Sequence, residues 1–564
     1  MTQKNFLELL IEESKSYMGI DKISQLIQSG GDLKNIPLQP LYMSIRTLPV
    51  EAKGALLPRL SKEQRQAFLD IDLWHKDDLS VEEFSQWMFV YANTTDELKY
   101  EFVKSPEFAL FLKARFNIWT FDVEDPQYPD HDYYFLTECN QLLFEYDEEC
   151  EMVDQLKDAI KILYTEEGVE NAYTYLFKIV ADQIGMMSED EYRLKKGRLQ
   201  DYGFVDYYEA LQLTNNYPSK KHLDNFIKKS LATKRPIANV SDELKLQRAP
   251  YSLLSPFEKN EENFQQQISQ VKNDERTDFL NFNFIKLVNA NLELSGGIKR
   301  GSIEVTKTSK QTKMLLELGL SYLQDFISTE YEEEFIIFDI FSFTEIYRIG
   351  KSLILFGQKS IKSSYLKLKI DEKFDTFLGP YYDQFISTSF SINYEFNTRS
   401  EDKLKLNNFK NYQTWMKEIE TLNSILPFAK AFYDKLSELK ENNLVQDHFY
   451  LNYNVSDIDF PTLLISSFAN FVQNQSLDHF KIGLSLNEFK SFLTDYQNGG
   501  IEKNWNTKIK SFSDQFGFKD IIDFNSTLKY FINDALDGYD KVENLSDEEF
   551  KYIGGPIILL GISA

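Results

Sequence analysis

Cysteine is almost absent from this chain: two residues in 564, Cys139 and Cys150. Two thiols cannot build a disulfide framework and are too few to hold zinc alone, and no histidine stands at ligand spacing from either. Glycine (23) and proline (15) are few beside 46 Phe and 32 Tyr. Few turns and much bulky packing favour helices over a sandwich or barrel. A long apolar run is missing as well. The most apolar stretch, EFIIFDIFSFTEIYRIGKSLILFG, is broken by Asp339, Glu345, Arg348 and Lys351, whereas a bilayer span needs about 20 residues nearly free of charge. The opening MTQKNFLELLIEESKSYMG carries acids in its middle, so it reads as an amphipathic helix rather than a signal peptide. No membrane span and a cytoplasmic location are expected.

Positive charge is also short. Against 88 Asp+Glu stand 62 Lys+Arg, for a net charge of -26, which argues against wrapping duplex nucleic acid. Residues 1–190 hold 17 Lys+Arg and 36 Asp+Glu, while residues 191–235 hold 10 and 5. A basic island therefore follows an acidic front. The front suits basic partners, or is simply a solvated acidic surface. The length exceeds what one hydrophobic core sustains, so two to four domains are expected.

What is present is helix punctuation. LPVEAKGALLPRLSKEQRQAFLDIDLW, Leu48 to Trp74, says one phrase twice. Pro49 and Glu51 suit a first helical turn, and Pro58 ends it. Ser61-Lys62-Glu63-Gln64 is a capping box, as is Ser80-Val81-Glu82-Glu83. Ser105-Pro106-Glu107 opens another helix. Helices this short are stable only when stacked on neighbours. Trp74 is expected to close the small core.

The phrase LPVEAKGALLPRLSKEQR resembles the short-helix repeats of the MgtE amino-terminal domain and FliG, which are regulatory and assembly modules. With RLQDYGFVDYYEAL (Arg198 to Leu211), LLELGLSYL and PTLLISSFANF, it also resembles an uncharacterised bacterial family seen mainly in delta-class proteobacteria. That resemblance implies a full-length, mostly helical unit. It transfers no activity and no catalytic residue.

The expected fold is predominantly α: a multi-domain helical array with a minor β-hairpin or small sheet. Residues 1–116 read as the short-helix array, and 117–235 as a β-hairpin plus helices carrying the basic island. In the latter, Ser188 caps a helix through YRLKKGRL, and Gly203 breaks it. Residues 236–265 mix Pro, Ser, Asn and charge and read as a linker. Residues 266–564 form a helical C-terminal region of one or two subdomains, with LGPYYDQF and FSINYEFNTRS as its irregular middle. GGPIILLGISA packs as a buried strand or extended end.

Candidate chemistry is sparse. Asp130-His131-Asp132 has the His-Asp pair of metal phosphohydrolases without their further ligands, and reads as a solvated turn. Cys139, in an expected strand, reads as a small buried apolar residue. Gly296 to Ser302, GGIKRGS, has the first glycine spacing of a P-loop, but Ser302 stands where its lysine belongs. Lys299 and Arg300 there could still hold a phosphate. The basic island offers Arg193, Lys195, Lys196 and Arg198 beside Asp201, Tyr207 and Glu209. It could grip an anionic ligand or partner, or clamp the acidic front internally. No metal and no cofactor is called for. The reading is a non-catalytic interaction or regulatory protein, a scaffold or adaptor with a protein partner. The alternative is an enzyme or a nucleotide or anion sensor, using either the 191–211 cluster or the 295–302 loop on a small anionic ligand.

Overall fold

The computed structural model describes residues 20–75, 78–182, 184–233, 267–370, 373–400, 402–500, 505–536 and 546–560. The helix expected over the first 19 residues and the linker expected over 236–265 lie outside them. The chain is predominantly α-helical, with small sheets of two or three strands. Among the described residues, no helix is long and apolar enough to cross a membrane.

Two units form, and neither is one continuous stretch. The first draws on Met1–Asn215, Lys229–Lys313 and Phe335–Arg348, and the second on Asn216–Lys228, Met314–Glu334 and Ile349–Ala564. The 117–235 and 266–564 segments each contribute residues to both units.

In the first unit the array runs α1 (Ile20–Gln28), α2 (Leu38–Arg46), α3 (Val50–Leu56) and α4 (Lys62–Asp72), then strands β1 (Trp74–His75) and β2 (Asp78–Leu79), then α5 (Val81–Ala92), α6 (Asp96–Val103) and α7 (Pro106–Arg115). Each expected start holds. Pro49 precedes α3. Ser61 forms the full capping box, accepting from the Gln64 N–H at 3.2 Å while Gln64 Oε1 accepts from the Ser61 N–H at 2.9 Å. Ser105 caps α7 by accepting from Phe108 N–H. Ser80 gives only half a box. Its side chain accepts from Glu83 N–H, but its own N–H donates to the Leu73 carbonyl, closing the β1–β2 hairpin that interrupts the helices. Ser61→Ala should cost about 1 kcal/mol, as a lost N-cap does. Urea unfolding measures it, and an unchanged midpoint would count against the capping box.

Residues 117–145 form a three-stranded antiparallel sheet, order β3 (Asn117–Thr120), β5 (Leu142–Glu145), β4 (Tyr134–Leu136). Leu142, Leu143 and Phe144 of the central strand are fully buried, and Phe135 stacks on Phe144. Cys139 sits in the β4–β5 turn, half-buried, rather than in a strand. His131 pairs with Glu145 on the surface at 2.9 Å. Then come α8 (Val153–Ala181), broken at Gly168 with φ 76°, and α9 (Ile184–Asp201). Ser188 lies inside α9 rather than capping it, because the helix starts four residues earlier. Gly203 (φ 81°) ends it, with the Phe204 N–H returned to the Leu199 carbonyl. After α10 (Tyr207–Leu213) and α11 (Lys220–Thr233), α12 (Asp274–Leu294) leads through a 3-10 turn at Ile298–Arg300 into α13 (Ser302–Glu330). The short α14 (Ile337–Ile340) offers carbonyls of Phe338 and its neighbour Phe341 to the buried Arg276 of α12.

In the second unit, α15 (Phe343–Leu368) crosses α13 at Gly350, where an added Cβ would lie 2.0 Å from the Leu315 carbonyl oxygen. After α16 (Lys373–Phe377), the stretch expected to be irregular forms α17 (Pro380–Ser389) and a hairpin of β6 (Glu395–Asn397) and β7 (Lys403–Lys405). Gly379, at φ 87°, lets Pro380 take the first helical position. The 33-residue α18 (Phe409–Glu441) buries Trp415, whose Nε1 donates to Ser389 Oγ at 3.0 Å. Asp459 caps α19 (Phe460–Asn474). Strand β8 (Leu484–Ser485) precedes α20 (Leu486–Gly500), α21 (Asn506–Gln515) and α22 (Phe524–Leu536). The expected buried end is strand β9 (Ile558–Leu559), parallel to β8. Ile557 and Ile558 are fully buried, and their N–H groups donate to Ser466 Oγ and Asn452 Oδ1.

Candidate functional site

Helix α9 has two working faces, fixed by its period. Tyr192, Lys195, Lys196 and Leu199 stand at i, i+3, i+4 and i+7 and share one side. Glu191 and Arg198, seven apart, share another.

The first face lines a cavity of about 710 Å³. Asp70, Ile71 and Trp74 close it on one side. Asp206, Tyr207, Tyr208, Glu209 and Gln212 come from the α10 region, and Asn289, Leu292 and Glu293 from α12. Gly296, Gly297, Ile298 and Lys299 come from the glycine loop. Gly296 and Gly297 have φ of 106° and 80°, open to glycine and strained for other residues. Lys195 lies 5.2 Å from the Trp74 ring centre and 5.0 Å from that of Tyr192. Burial pushes its ammonium down to about 8, against the pull of Asp70 and Glu293. Burial alone would raise Asp206, but the Glu209 N–H and Lys196 outweigh it and hold its carboxyl low. Lys299 donates to the Asp72 carbonyl at 2.6 Å.

The cavity unites two segments that the sequence offered as alternatives. Lys196, Tyr207 and Glu209 of the basic island meet Lys299 of the glycine loop there. Lys196 pairs with Asp206, and Glu209 with Lys286 at 2.7 Å. The other candidates lie elsewhere. Arg193 points to solvent beside Glu189 at 3.5 Å. Asp201 is exposed at the end of α9. Arg300 folds back against Gly296, whose added Cβ would lie 2.7 Å from Arg300 Nε. Trp74, expected only to close the core, is buried but also lines the cavity. Sequence reasoning did not single out Tyr192, Tyr208 or Glu293, which carry no motif.

The second face of α9 meets the acidic front. Arg198 donates to Asp70 from Nε at 2.8 Å and from Nη2 at 2.7 Å, and from Nη2 to Glu191 at 2.5 Å. Glu107, in the first turn of α7, is fully buried beside them. Its Oε1 accepts from Gln66 Nε2 at 2.6 Å, and no described N–H reaches its Oε2. Carboxylate oxygens of Asp70, Glu107 and Glu191 lie within 4.8 Å of one another, a donor set for a hard divalent ion. Arg198 Nη2, however, stands 2.7 Å from Asp70, 2.5 Å from Glu191 and 3.6 Å from Glu107. The guanidinium takes the place such an ion would need. Burial first, then Glu191 and Asp70, push the Glu107 carboxyl up to about 8.

Residues 21–558 match a family of unknown function, DUF6178. The chain belongs to this family. No curated protein and no solved structure matches it. The DUF6178 match takes in both α9 faces, the cavity and the buried carboxylates.

Proposed function

We propose that this DUF6178 chain is a cytoplasmic, non-catalytic regulatory module that binds a small anionic ligand in the α9 cavity and reports its presence to a protein partner. The observation that carries this reading is the convergence of Lys195, Lys196 and Lys299 on one cavity, among the rings of Trp74, Tyr192, Tyr207 and Tyr208. Lysines beside aromatic faces suit a negatively charged group attached to a flat ring, and nucleotides are the first class to test. Binding is favoured over catalysis because Asp70, Asp206 and Glu209 are each held in an ion pair. A carboxylate fixed in this way is a poor general base.

The test is a thermal-shift and calorimetric panel of nucleotides, inorganic phosphate and simple dicarboxylates. A true ligand at one hundred times its Kd should add about 2.7 kcal/mol of stability. Lys195→Ala and Lys299→Ala should abolish that gain while leaving the unliganded Tm within a few degrees. Stabilisation that survives both substitutions would place the ligand elsewhere and sink the proposal.

A further inference from the structure

The carboxylate cluster behind α9 poses a charge problem of its own. Asp70, Glu107 and Glu191 have side chains that are 0%, 0% and 3% exposed, and one guanidinium faces all three. Three carboxylates beside one cation leave two negative charges in a buried place. Lys195, acting on Asp70 from the cavity side, offsets part of one. Isolated buried charge is not tolerated; the group takes up a proton instead. Glu107 is the member with the least help. Its Oε2 has no donor facing it, and it stands farthest from Arg198 Nη2.

We propose that Glu107 carries a proton at neutral pH and donates it in a hydrogen bond to Glu191. Asp70, Glu107, Glu191 and Arg198 then form a proton-locked latch that holds α9 against α4 and α7. When the proton leaves for solvent, a second uncompensated charge stays in the cluster and the α9 attachment loosens. The groups that act on Glu107 are consistent with this. Glu191 and Arg198 face it from α9, and Asp70 and the neutral Gln66 from α4. Tyr91 of α5 is buried nearby. Arg65 of α4 is already bound to Glu101 of α6 at 2.8 Å. Asp78 of β2 is exposed. A hydrogen bond from Glu107 also favours the Glu191 carboxylate. Because the other face of α9 lines the cavity, the latch would tie ligand affinity to pH. That consequence rests on the ligand-binding reading; the latch itself does not.

The sign of the pH effect is fixed. The native state keeps a proton that the unfolded chain gives up near the ordinary value of 4.5, and releases it only near 8. This contribution to stability is therefore complete at low pH, falls as pH rises through that window, and is flat above it.

Amide hydrogen exchange over Ile184–Asp201, corrected for intrinsic rates, tests the latch on the unliganded full chain. From pH 7 to pH 9, across the titration near 8, the protection of α9 should fall about tenfold in the wild type. In Glu107→Gln, which keeps a neutral group at the same place, it should hold. An equal fall in both proteins, or none in the wild type, overturns the proposal. Protection restored at pH 9 by millimolar magnesium or manganese chloride also overturns it, in favour of a cation site. Infrared spectroscopy needs no mutant for its first reading: a protonated carboxylic acid band should persist at pH 7 and vanish at pH 9. Its absence at pH 7 would end the proposal even if Glu107→Gln failed to fold.

Discussion

Arg198→Ala should lower the stability of the chain by about 3–5 kcal/mol, the cost of stripping one partner from a buried ion pair. An exposed pair would lose only about 0–1 kcal/mol. The difference lies in what the guanidinium leaves behind. Asp70 and Glu191 lose their bonds at 2.5–2.8 Å and remain buried, with Glu107 beside them. The loss should appear with or without any ligand, because Arg198 does not line the cavity. Arg198→Lys should recover only part, since a lysine cannot give Asp70 two parallel N–H bonds. On an Asp70→Asn, Glu191→Gln background the same Arg198→Ala change should cost far less. Urea unfolding of the four proteins closes this cycle. A single-mutant loss below about 1 kcal/mol would mean that the cluster is already compensated by other groups.

Gly350→Ala should destabilise the second unit by about 3 kcal/mol or more, at the upper end of overpacking costs. Helix propensity alone predicts the opposite sign, a gain of about 1 kcal/mol for replacing an interior helical glycine. Geometry decides between them. The new Cβ would stand 2.0 Å from the Leu315 carbonyl oxygen and 3.1 Å from the Gly319 nitrogen, both backbone atoms that no rotamer change can move. The two helices would have to separate. Gly197, with open space around its Cβ position, provides the control: Gly197→Ala on α9 should be neutral or stabilising. Differential scanning calorimetry of both variants checks the pair, and equal behaviour would refute the close crossing.

The helix starts were legible because capping is local. Ser61 and Gln64 are three residues apart and carry the whole motif in four letters. Ser188 misled for the same reason. SEDE has the letters of a cap, but α9 had already begun at Ile184. The Pro380 helix was overlooked because its tyrosines and the glycine before it resemble loop composition, although proline after glycine marks a helix start as well as a turn. The site was half legible. Charge contrast pointed to the basic island, and glycine spacing pointed to the 295–302 loop. That the two share a cavity depends on α12 folding back against α10, which no short window records. In the sequence Glu107 is only part of the Ser105-Pro106-Glu107 helix start. Its actual environment is supplied by Asp70 and Glu191, from helices on either side of it in sequence. The Arg198 contact with Asp70 spans 128 residues.

Strand β9 carries a consequence for biosynthesis. The chain reaches the ribosomal exit in order, so Leu484, Ser466 and Asn452 all emerge well before the segment that completes them. Until residues 556–560 follow, the Ser466 hydroxyl and the Asn452 amide lack the N–H groups of Ile557 and Ile558, and the Leu484 N–H lacks the Ile557 carbonyl. The slot that Ile557 and Ile558 fill stays open to water. Loss of residues 556–560 would therefore act on the interior of the second unit, and the product would expose an apolar groove to the quality-control machinery of the cell.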